Sequence, residues 1–328
     1  MNCPPILQQY FDAGYGREWP QSACSPEFLA RRLQRPEGGK RLAVVLDTDT
    51  FNEVDDQYAL AYLLKNPQRF DLKAILAAPF QNIKAETPDL GMERSYREIL
   101  RVLKLVGQEE KAGLVYRGAK RFLKGETEPE ETPAARRLVE LALAQPNDEP
   151  LYVVAIAAAT NVASAVLLEP AICQKIVVVW LGGHSRDWPN CKEFNLLQDV
   201  AAARVLLGTG LPVVQCPCNG VTNALAVTGP ELEHWLRGKN PLCDYLCDVT
   251  EEEASIYRQK GCWSRIIWDV APVAWLMEGD FVQSRLVTGV QPSYSGYYEV
   301  GSLRHLMGYI YSIDRDGVFT ELFRVLSE

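Results

Sequence analysis

Four aspartates have the clearest chemical potential in this chain, because they lie within ten residues of one another in the segment LDTDTFNEVDDQYAL. Asp47 and Asp49 come at the end of an apolar run typical of a strand, and Asp55 and Asp56 open an amphipathic pattern typical of a helix. Carboxylates packed together repel one another and resist ionisation, whereas a hard divalent cation such as Ca²⁺ or Mg²⁺ reverses that penalty. The spacing therefore predicts a metal site at this strand end.

Helix capping is an alternative explanation for part of this pattern. Asp and Asn are favoured at the start of a helix, where the helix dipole stabilises negative charge. Capping accounts for Asp55 and Asp56, but it gives no reason for Asp47 and Asp49 at the end of an apolar strand. We therefore favour cation binding for the group as a whole.

Histidines and cysteines offer fewer candidates for chemistry. His184 follows a Gly-Gly pair at a strand end, where it could line a pocket, although a lone histidine is more often structural. His234 and His305 have no neighbours in sequence that suggest catalysis, and we expect Cys216 and Cys218 to pack in the core. The nine cysteines form no paired zinc-binding knuckles, which indicates reduced thiols and a cytoplasmic protein.

The elements that must position these residues alternate between strand and helix patterns. Short apolar strand candidates lie at 41–46, 72–78, 113–116, 150–156, 175–181 and 211–216, with helical patterns between them. Strands that are apolar throughout and separated by helices predict an α/β fold, a Rossmann-like, doubly wound and mainly parallel sheet covered on both faces. Ligands of such folds bind at the carboxyl ends of the strands.

Two further regions flank this alternating core. Residues 1–40 are rich in Pro, Gly and polar residues, and we interpret them as an N-terminal extension with one helix that begins at Ser25 and Pro26. Residues 41–328 are interpreted as one domain. After Cys218 the sequence becomes more helical and more acidic, which predicts a helical C-terminal cap region.

Composition excludes several classes of partner. The chain has 34 basic and 42 acidic residues, a net charge of −8, so its field repels polyphosphate and we expect no nucleic-acid partner. The hydrophobic content of 47% is too high for intrinsic disorder. The start has no signal-peptide pattern and no stretch approaches 18 uninterrupted apolar residues, so we expect no membrane association.

Two known families place D-x-D at the end of a first apolar strand. The haloacid-dehalogenase-like phosphatases do so, but their pattern has Thr or Val two residues after the second Asp, where this chain has Phe51. The signature of the nucleoside hydrolases, D-x-D-P-G-x-D-D-A-x-A-L, resembles the stretches Asp47–Asp49 and Asp55–Leu60. The intervening TFNEV is two residues longer than in that family and lacks Pro-Gly.

Three later segments extend the second resemblance over most of the chain. AIAAATNVASAV resembles the family's L-T-N segment, WLGGHSRDWPNCKEFNLLQDVAAARVLL resembles its G-G…E-F-N…D-P-E-A-A stretch, and IIWDVAPVAWL resembles its late H-D-P-L-A-V-A segment. With four segments in the same order, the chain is identified as a member of the nucleoside hydrolase family.

The resemblance implies a set of site residues and a cofactor. Ca²⁺ would be held by Asp49, Asp56, Asp269 and the backbone carbonyl of Thr160, a set of oxygen ligands that suits this ion. The resemblance implies that the ribose is contacted by Asp55, Asn82, Glu193 and Asn195. It places Asp47 behind the metal ligands, where it would orient them.

The implied reaction is hydrolysis of an N-glycosidic bond to a base and free ribose. Asp49 would accept a proton as general base from a water molecule that the calcium ion orients. Many family members have His before the late metal Asp, whereas this chain has Trp268, which suggests a weak preference for purine nucleosides or, alternatively, simple core packing. The resemblance also implies a homodimer or homotetramer with a nucleoside as its small-molecule substrate.

Two other functions stay open at this point. A metal-dependent phosphatase would use Asp47 as its nucleophile, and a non-catalytic relative would bind a nucleoside without cleaving it. The longer TFNEV segment, next to the expected metal and sugar ligands, keeps the second of these open.

Overall fold

A central sheet of eight strands organises the computed structural model, which describes residues 24–257, 261–299 and 305–328. Its order is β3-β2-β1-β4-β5-β6-β12-β9. The strands of this sheet are β1 (Leu42–Thr48), β2 (Phe70–Ala77), β3 (Val115–Arg117), β4 (Leu151–Ala155), β5 (Ile176–Leu181), β6 (Val213–Cys216), β9 (Val282–Thr288) and β12 (Leu306–Ile313). All neighbours pair in parallel except β9, which runs antiparallel to β12 at one edge.

The helices cover both faces of the sheet, as the alternating pattern predicts. They are α1 (Pro26–Arg32), α2 (Asp55–Leu64), α3 (Pro88–Val106), α4 (Pro133–Leu143), α5 (Thr160–Leu168), α6 (Phe194–Gln198), α7 (Val200–Gly208), α8 (Gly229–Trp235), α9 (Pro241–Tyr257), α10 (Val270–Leu276) and α11 (Arg315–Ser327). Three of them begin with a hydroxyl side chain that caps the helix before a proline, at Ser25, Thr87 and Thr132. The predicted α/β fold is confirmed.

The first strand is longer than the sequence pattern predicts. It continues through Asp47 and Thr48, because the backbone of Asp47 pairs with Leu76 of β2 and with Ala155 of β4. Asp47 is therefore a strand residue, and Asp49 is the first residue beyond the strand. Strand order reverses between β1 and β4, and a reversal of this kind leaves a crevice at the carboxyl ends of the two strands.

The region after Cys218 contains more strand than expected. The predicted helical cap is represented by α8 and α9, but the same region also supplies β9 and β12 to the central sheet. Small two-stranded sheets join β7 (Ala226–Thr228) to β8 (Ser264–Ile266) and β10 (Gln291–Pro292) to β11 (Tyr298–Glu299). The helical periodicity of this region concealed these short strands.

The N-terminal segment contacts the core through arginine side chains. Arg32 donates a hydrogen bond to the carbonyl of Asp148 over 2.9 Å, and Arg35 donates to the carbonyl of Trp275 over 3.0 Å. Residues 1–23 of the predicted extension lie outside the described residues. Among the described helices, none has both the length and the apolar character needed to cross a membrane.

Candidate active site

A pocket occupies the crevice at the carboxyl ends of β1 and β4, and its volume is about 260 Å³, near the lower end for small-molecule sites. Polar and acidic residues from several loops dominate its wall. The lining residues are Asp49, Asn52, Glu53, Asp55, Asp56, Ile156, Leu181, His184, Lys192, Glu193, Phe194, Asn195, Cys218, Asn219, Trp268 and Asp269. The topology therefore brings acidic residues that are far apart in sequence to one place.

Three carboxyl groups form the centre of this pocket. Oxygen atoms of Asp55, Asp56 and Asp269 all lie within 4.8 Å of one another, and the three residues are buried. Asp269 follows β8 and precedes α10, and its backbone N–H donates to Asp55 Oδ2 over 3.3 Å. Thr48 Oγ1 donates a hydrogen bond to Asp56 Oδ1. Asp49 lines the same pocket but does not belong to this close group.

The electrostatics of the cluster favour a bound cation. Burial, followed by repulsion from neighbouring carboxylates, raises the pKa of Asp49, Asp55 and Asp269 well above the usual range. Burial also raises the pKa of Asp56. Asp49 Oδ2 is buried and has no hydrogen-bond partner in the part of the chain that the structure describes. Oxygen ligands that repel one another in this way, with an unpartnered oxygen among them, fit a hard divalent ion such as Ca²⁺ or Mg²⁺.

Asp47 lies behind the pocket, outside its lining. Its Oδ1 accepts a hydrogen bond of 2.8 Å from the side-chain amide of Asn161, while its buried Oδ2 has no partner. Burial is the main cause that raises the pKa of Asp47 to about 7. The side chain is therefore placed to support the strand end rather than to contact a ligand.

The structure does not bring Thr160 into the pocket. Thr160 is the first residue of α5, so its carbonyl points along the helix, and its Oγ1 donates to Asp199 Oδ2 over 2.8 Å. Ile156, which directly follows β4, lines the pocket instead. The role of the Thr160 carbonyl as a metal ligand therefore stays a prediction.

Glu193 and Asn195 lie in the pocket where the resemblance implies. Glu193 caps the short helix α6, and its two oxygens accept from the N–H groups of Asn195 at 2.7 Å, Leu196 at 3.0 Å and Gly183 at 2.9 Å. Burial raises the pKa of Glu193 to about 7. The side chain of Asn195 donates to the carbonyl of Leu181, at the end of β5, over 3.1 Å. These bonds hold both side chains rigidly.

Asn82 does not line the pocket itself but contacts a residue that does. Its side-chain amide donates to Asn52 Oδ1 over 2.8 Å, and Asn52 itself lines the pocket. The backbone N–H of Asn52 donates to the carbonyl of Asp49 over 2.7 Å, which forms a turn directly after β1. Asn52, supplied by the longer TFNEV segment, therefore lies between Asn82 and the pocket.

Glu53 belongs to a chain of alternating charges that we call the charge ladder. Lys84 Nζ lies 2.7 Å from Glu253 Oε2, Arg265 Nη2 lies 3.8 Å from Glu253 Oε1, and Arg265 Nη2 lies 2.8 Å from Glu53 Oε2. Side-chain exposure is 5% for Glu253 and 15% for Arg265, so these pairs are well shielded from water. The ladder ties the loop after β1 to α9 and β8.

His184 and Trp268 both lie in the pocket lining. His184 Nδ1 accepts from the backbone N–H of Asn219 over 3.3 Å, and the ring meets Trp188 edge-on with centroids 5.9 Å apart. Burial lowers the pKa of His184, which favours the neutral ring. Trp268 is half-buried and packs against the hydrophobic core as well as lining the pocket.

Several lining residues were not predicted. They are Asn52, Glu53, Ile156, Leu181, Lys192, Phe194, Cys218 and Asn219. The unusual length of TFNEV is a sequence signal for Asn52 and Glu53. Cys218 and Asn219 follow a predicted strand at its carboxyl end, where ligands of this fold bind. Nothing in the sequence indicates that Arg265 would pair with Glu53, because 212 residues separate them.

Fold and site together define an α/β protein with an acidic crevice suited to a hard cation and a small polar ligand. The family model described as inosine-uridine preferring nucleoside hydrolase matches residues 44–308, and the chain therefore belongs to the nucleoside hydrolase family. Membership identifies it as an N-glycosyl hydrolase of the ribonucleoside hydrolase type. This assignment favours the predicted glycosidic chemistry over the phosphatase alternative.

Individual relatives agree with this assignment. The chain is 27% identical over 262 residues to the pyrimidine-specific ribonucleoside hydrolase RihA of Enterobacter sp. (strain 638), a match that covers 72% of this chain and 79% of the relative. The RihA of Citrobacter koseri is 26% identical over 260 residues, which cover 72% of this chain and 80% of the relative.

Solved structures share the same fold. The plant nucleoside hydrolase PpNRh1 superposes with a TM-score of 0.70 at 20% identity, covering 88% of this chain and 99% of that enzyme. The purine-preferring ribonucleoside hydrolase from Gardnerella vaginalis gives a TM-score of 0.66 at 21% identity, covering 87% and 98% respectively. The predicted nucleoside hydrolase fold is confirmed.

Proposed function

We propose that this chain hydrolyses the N-glycosidic bond of ribonucleosides to free base and ribose, with Ca²⁺ as its cofactor. The observation that carries the proposal is the convergence of Asp49, Asp55, Asp56 and Asp269 on one pocket, although more than 200 residues separate the first three from the last. Their raised pKa values indicate that these carboxylates ionise together only at a cost in free energy, which a bound cation would remove.

The proposed metal ligands are the carboxylates of Asp49, Asp56 and Asp269 and, as the resemblance implies, the backbone carbonyl of Thr160. Asp55 is proposed to contact the ribose, since its oxygens face the same space. A bound calcium ion would supply a fixed positive charge that orients water and the sugar hydroxyls. Oxygen-only ligation by hard carboxylates favours Ca²⁺ or Mg²⁺ over softer metals.

The chemistry itself is assigned to side chains of the pocket. Asp49 Oδ2 is buried without a partner, and we propose that it accepts the proton of the attacking water as the bond from oxygen to C1′ forms. The acidic wall stabilises positive charge on C1′ and on the ring oxygen as the C1′–N bond breaks. Glu193 and Asn195 are held by the backbone and would fix the ribose in an aligned position.

A weak preference for purine nucleosides is part of the proposal. It is supported by Trp268, whose half-buried indole lines the pocket and offers a flat surface for a bicyclic base. His184 is proposed as a further substrate contact, since it lines the pocket and Asn219 fixes its ring. Asn82 is proposed to act through Asn52.

The direct test is product formation by the purified protein. We expect release of base and reducing sugar from a ribonucleoside panel, loss of this activity with a chelator, and its return with excess Ca²⁺. Release of phosphate from a phosphoester instead would support the phosphatase alternative. Tight nucleoside binding without any product would support a non-catalytic relative.

We further propose a cytoplasmic homodimer or homotetramer in which residues 41–328 form the catalytic domain and residues 1–40 an extension. The cysteine pattern supports the location, and membership of the family supports self-association. Light scattering of the purified chain tests the oligomeric state, and a mass of one chain would contradict it.

A further inference from the structure

Two short segments are joined to each other at two points beside the acidic cluster. At the first point, Arg265 Nη2 donates to Glu53 Oε2 over 2.8 Å. At the second, the backbone N–H of Asp269 donates to Asp55 Oδ2 over 3.3 Å. Only a few residues separate the two contacts on either segment. The ion pair of Glu53 and Arg265 is therefore fixed next to the carboxylates of the proposed metal site.

Glu53 is an acid that this pocket has in addition to its aspartates. It lines the pocket, and it belongs to TFNEV, the stretch that is two residues longer than in the nucleoside hydrolase signature. Burial is the largest cause that raises the pKa of Asp55, and the negative charge of Glu53 is the next. Glu53 therefore adds to the repulsion that already exists within the acidic cluster.

Arg265 supplies a compensating positive charge from outside the pocket lining. Against burial and the charge of Glu53, the charge of Arg265 lowers the pKa of Asp55, so its field reaches the cluster. Glu253 Oε1 lies 3.8 Å from the same guanidinium, and Glu253 Oε2 pairs with Lys84 Nζ over 2.7 Å. The charge ladder therefore contains two acids and two bases and has no net charge.

We infer that Arg265 sets the cation affinity of the pocket by cancelling the charge of Glu53, so that the longer loop adds a carboxylate to the wall without adding net charge. The inference deepens the proposed function and rests on Ca²⁺ as its cofactor. A guanidinium beside the site opposes the approach of a second positive charge, whereas a carboxylate without this partner would attract it. The two side chains therefore act on a bound cation in opposite directions.

Shielding from water makes this pair effective, because water and salt screen the charges of exposed pairs. The side chain of Arg265 is largely buried, and Glu53 is only partly exposed. Arg136 and Glu131 form an ion pair in which both side chains are exposed, and neither residue lines the pocket. This surface pair provides a matched control, since its removal changes the net charge of the chain in the same way.

The test is isothermal titration of Ca²⁺ into chelator-treated protein. Arg265→Met should raise the affinity for Ca²⁺ about tenfold and Glu53→Gln should lower it about tenfold, the scale of one unit charge acting on a divalent ion across a shielded wall. The double variant should return to within about threefold of the unmodified protein, because the two charge changes cancel. Arg265→Lys keeps the charge and should also stay within about threefold.

The opposite signs separate this role from structural damage, which would weaken Ca²⁺ binding in both single variants. Arg136→Met and Glu131→Gln should leave the affinity unchanged. An unchanged or lower affinity in folded Arg265→Met would overturn the inference. If Arg265→Met does not fold, Glu53→Gln decides, and an unchanged affinity in that variant overturns the inference. In both cases the proposed cofactor stands, whereas a lack of Ca²⁺ binding by the unmodified protein would overturn cofactor and inference together.

Discussion

The side-chain amide of Asn161 donates a hydrogen bond of 2.8 Å to Asp47 Oδ1, and this contact joins the start of α5 to the end of β1. The same side chain accepts from the N–H of Ala119 at 2.9 Å and donates to the carbonyl of Ala77 at 3.3 Å. One fully buried amide therefore ties the start of α5 to the ends of β1 and β2 and to the segment after β3.

Replacing this amide should destabilise the fold. Asn161→Ala leaves buried groups on Asp47 and Ala119 without partners, so we expect the free energy of unfolding to fall by about 3 kcal/mol. Urea denaturation followed by circular dichroism measures the change. Asn223→Ala removes an amide at an exposed position and should cost less than about 1 kcal/mol. Equal losses for the two variants would contradict the role of Asn161.

Removal of the Asp49 carboxylate should abolish turnover without unfolding the protein. A general base typically contributes about 10² to 10⁴ in rate, so Asp49→Ala should reduce kcat at least a hundredfold. Its folded state should be no less stable without added metal, because the substitution removes one of several mutually repelling buried carboxylates. Normal kcat in a folded variant would refute the assignment.

Calcium should stabilise the folded chain through its carboxylate ligands. A ligand that binds only the folded state at a hundred times its dissociation constant adds about 2.7 kcal/mol. The melting temperature should therefore rise when Ca²⁺ is added to chelator-treated protein. Asp269→Asn removes one of the three closest carboxylates and should reduce that rise. A rise of the same size in the variant would exclude Asp269 as a ligand.

Asp47 should make stability depend on pH. Burial raises its pKa to about 7, so the folded chain retains a proton that the unfolded chain loses near a pH of about 4. Because the folded state binds more protons in this window, the free energy of unfolding should fall as pH rises from about 4 to about 7. Asp47→Asn keeps the acceptor for Asn161, and the free energy of unfolding of this variant should fall less steeply with pH. Unfolding at pH 5 and pH 8 with a chelator compares the slopes, and identical slopes would contradict the expectation.

The indole of Trp268 should matter more for purines than for pyrimidines. Trp268→Ala removes the flat surface beside the acidic cluster, so we expect KM to rise about tenfold more for adenosine than for cytidine. Trp268→Phe keeps a smaller ring, so its KM values should lie between those of the unmodified protein and of Trp268→Ala. Steady-state kinetics measure the effect, and an equal rise for both nucleosides would indicate that Trp268 only packs against the core.

Much of the fold could be predicted because it depends on local patterns. Apolar strands such as Lys175–Leu181 and hydroxyl-proline helix starts such as Thr132–Pro133 are visible in short windows of sequence. The strands β9 and β12 were not predicted: β9 is largely exposed and carries polar residues between apolar ones, and β12, buried over its first five residues, follows a region whose pattern is helical. The carboxyl ends of the predicted strands then located the pocket.

The site was harder to predict, since it depends on where each strand ends and on contacts across the chain. Thr160 was chosen from a motif; it begins α5 and is not among the residues that line the pocket, whereas Ile156, directly after β4, is. Asn82 was chosen by its position after β2; its side chain bonds to Asn52, a pocket residue of TFNEV that the motif comparison did not single out. Pairing of Glu53 with Arg265 depends on three-dimensional proximity alone.

The charge ladder has a consequence for any attempt to transplant the loop after β1. A chimaera that received only TFNEV would acquire the Glu53 carboxylate without its guanidinium partner on β8 or the lysine and glutamate beyond it. The Glu53 side chain would then be free to rotate beside the aspartates of the pocket and would repel them. The shape of this pocket therefore depends on four separate segments of the chain, which must be exchanged together.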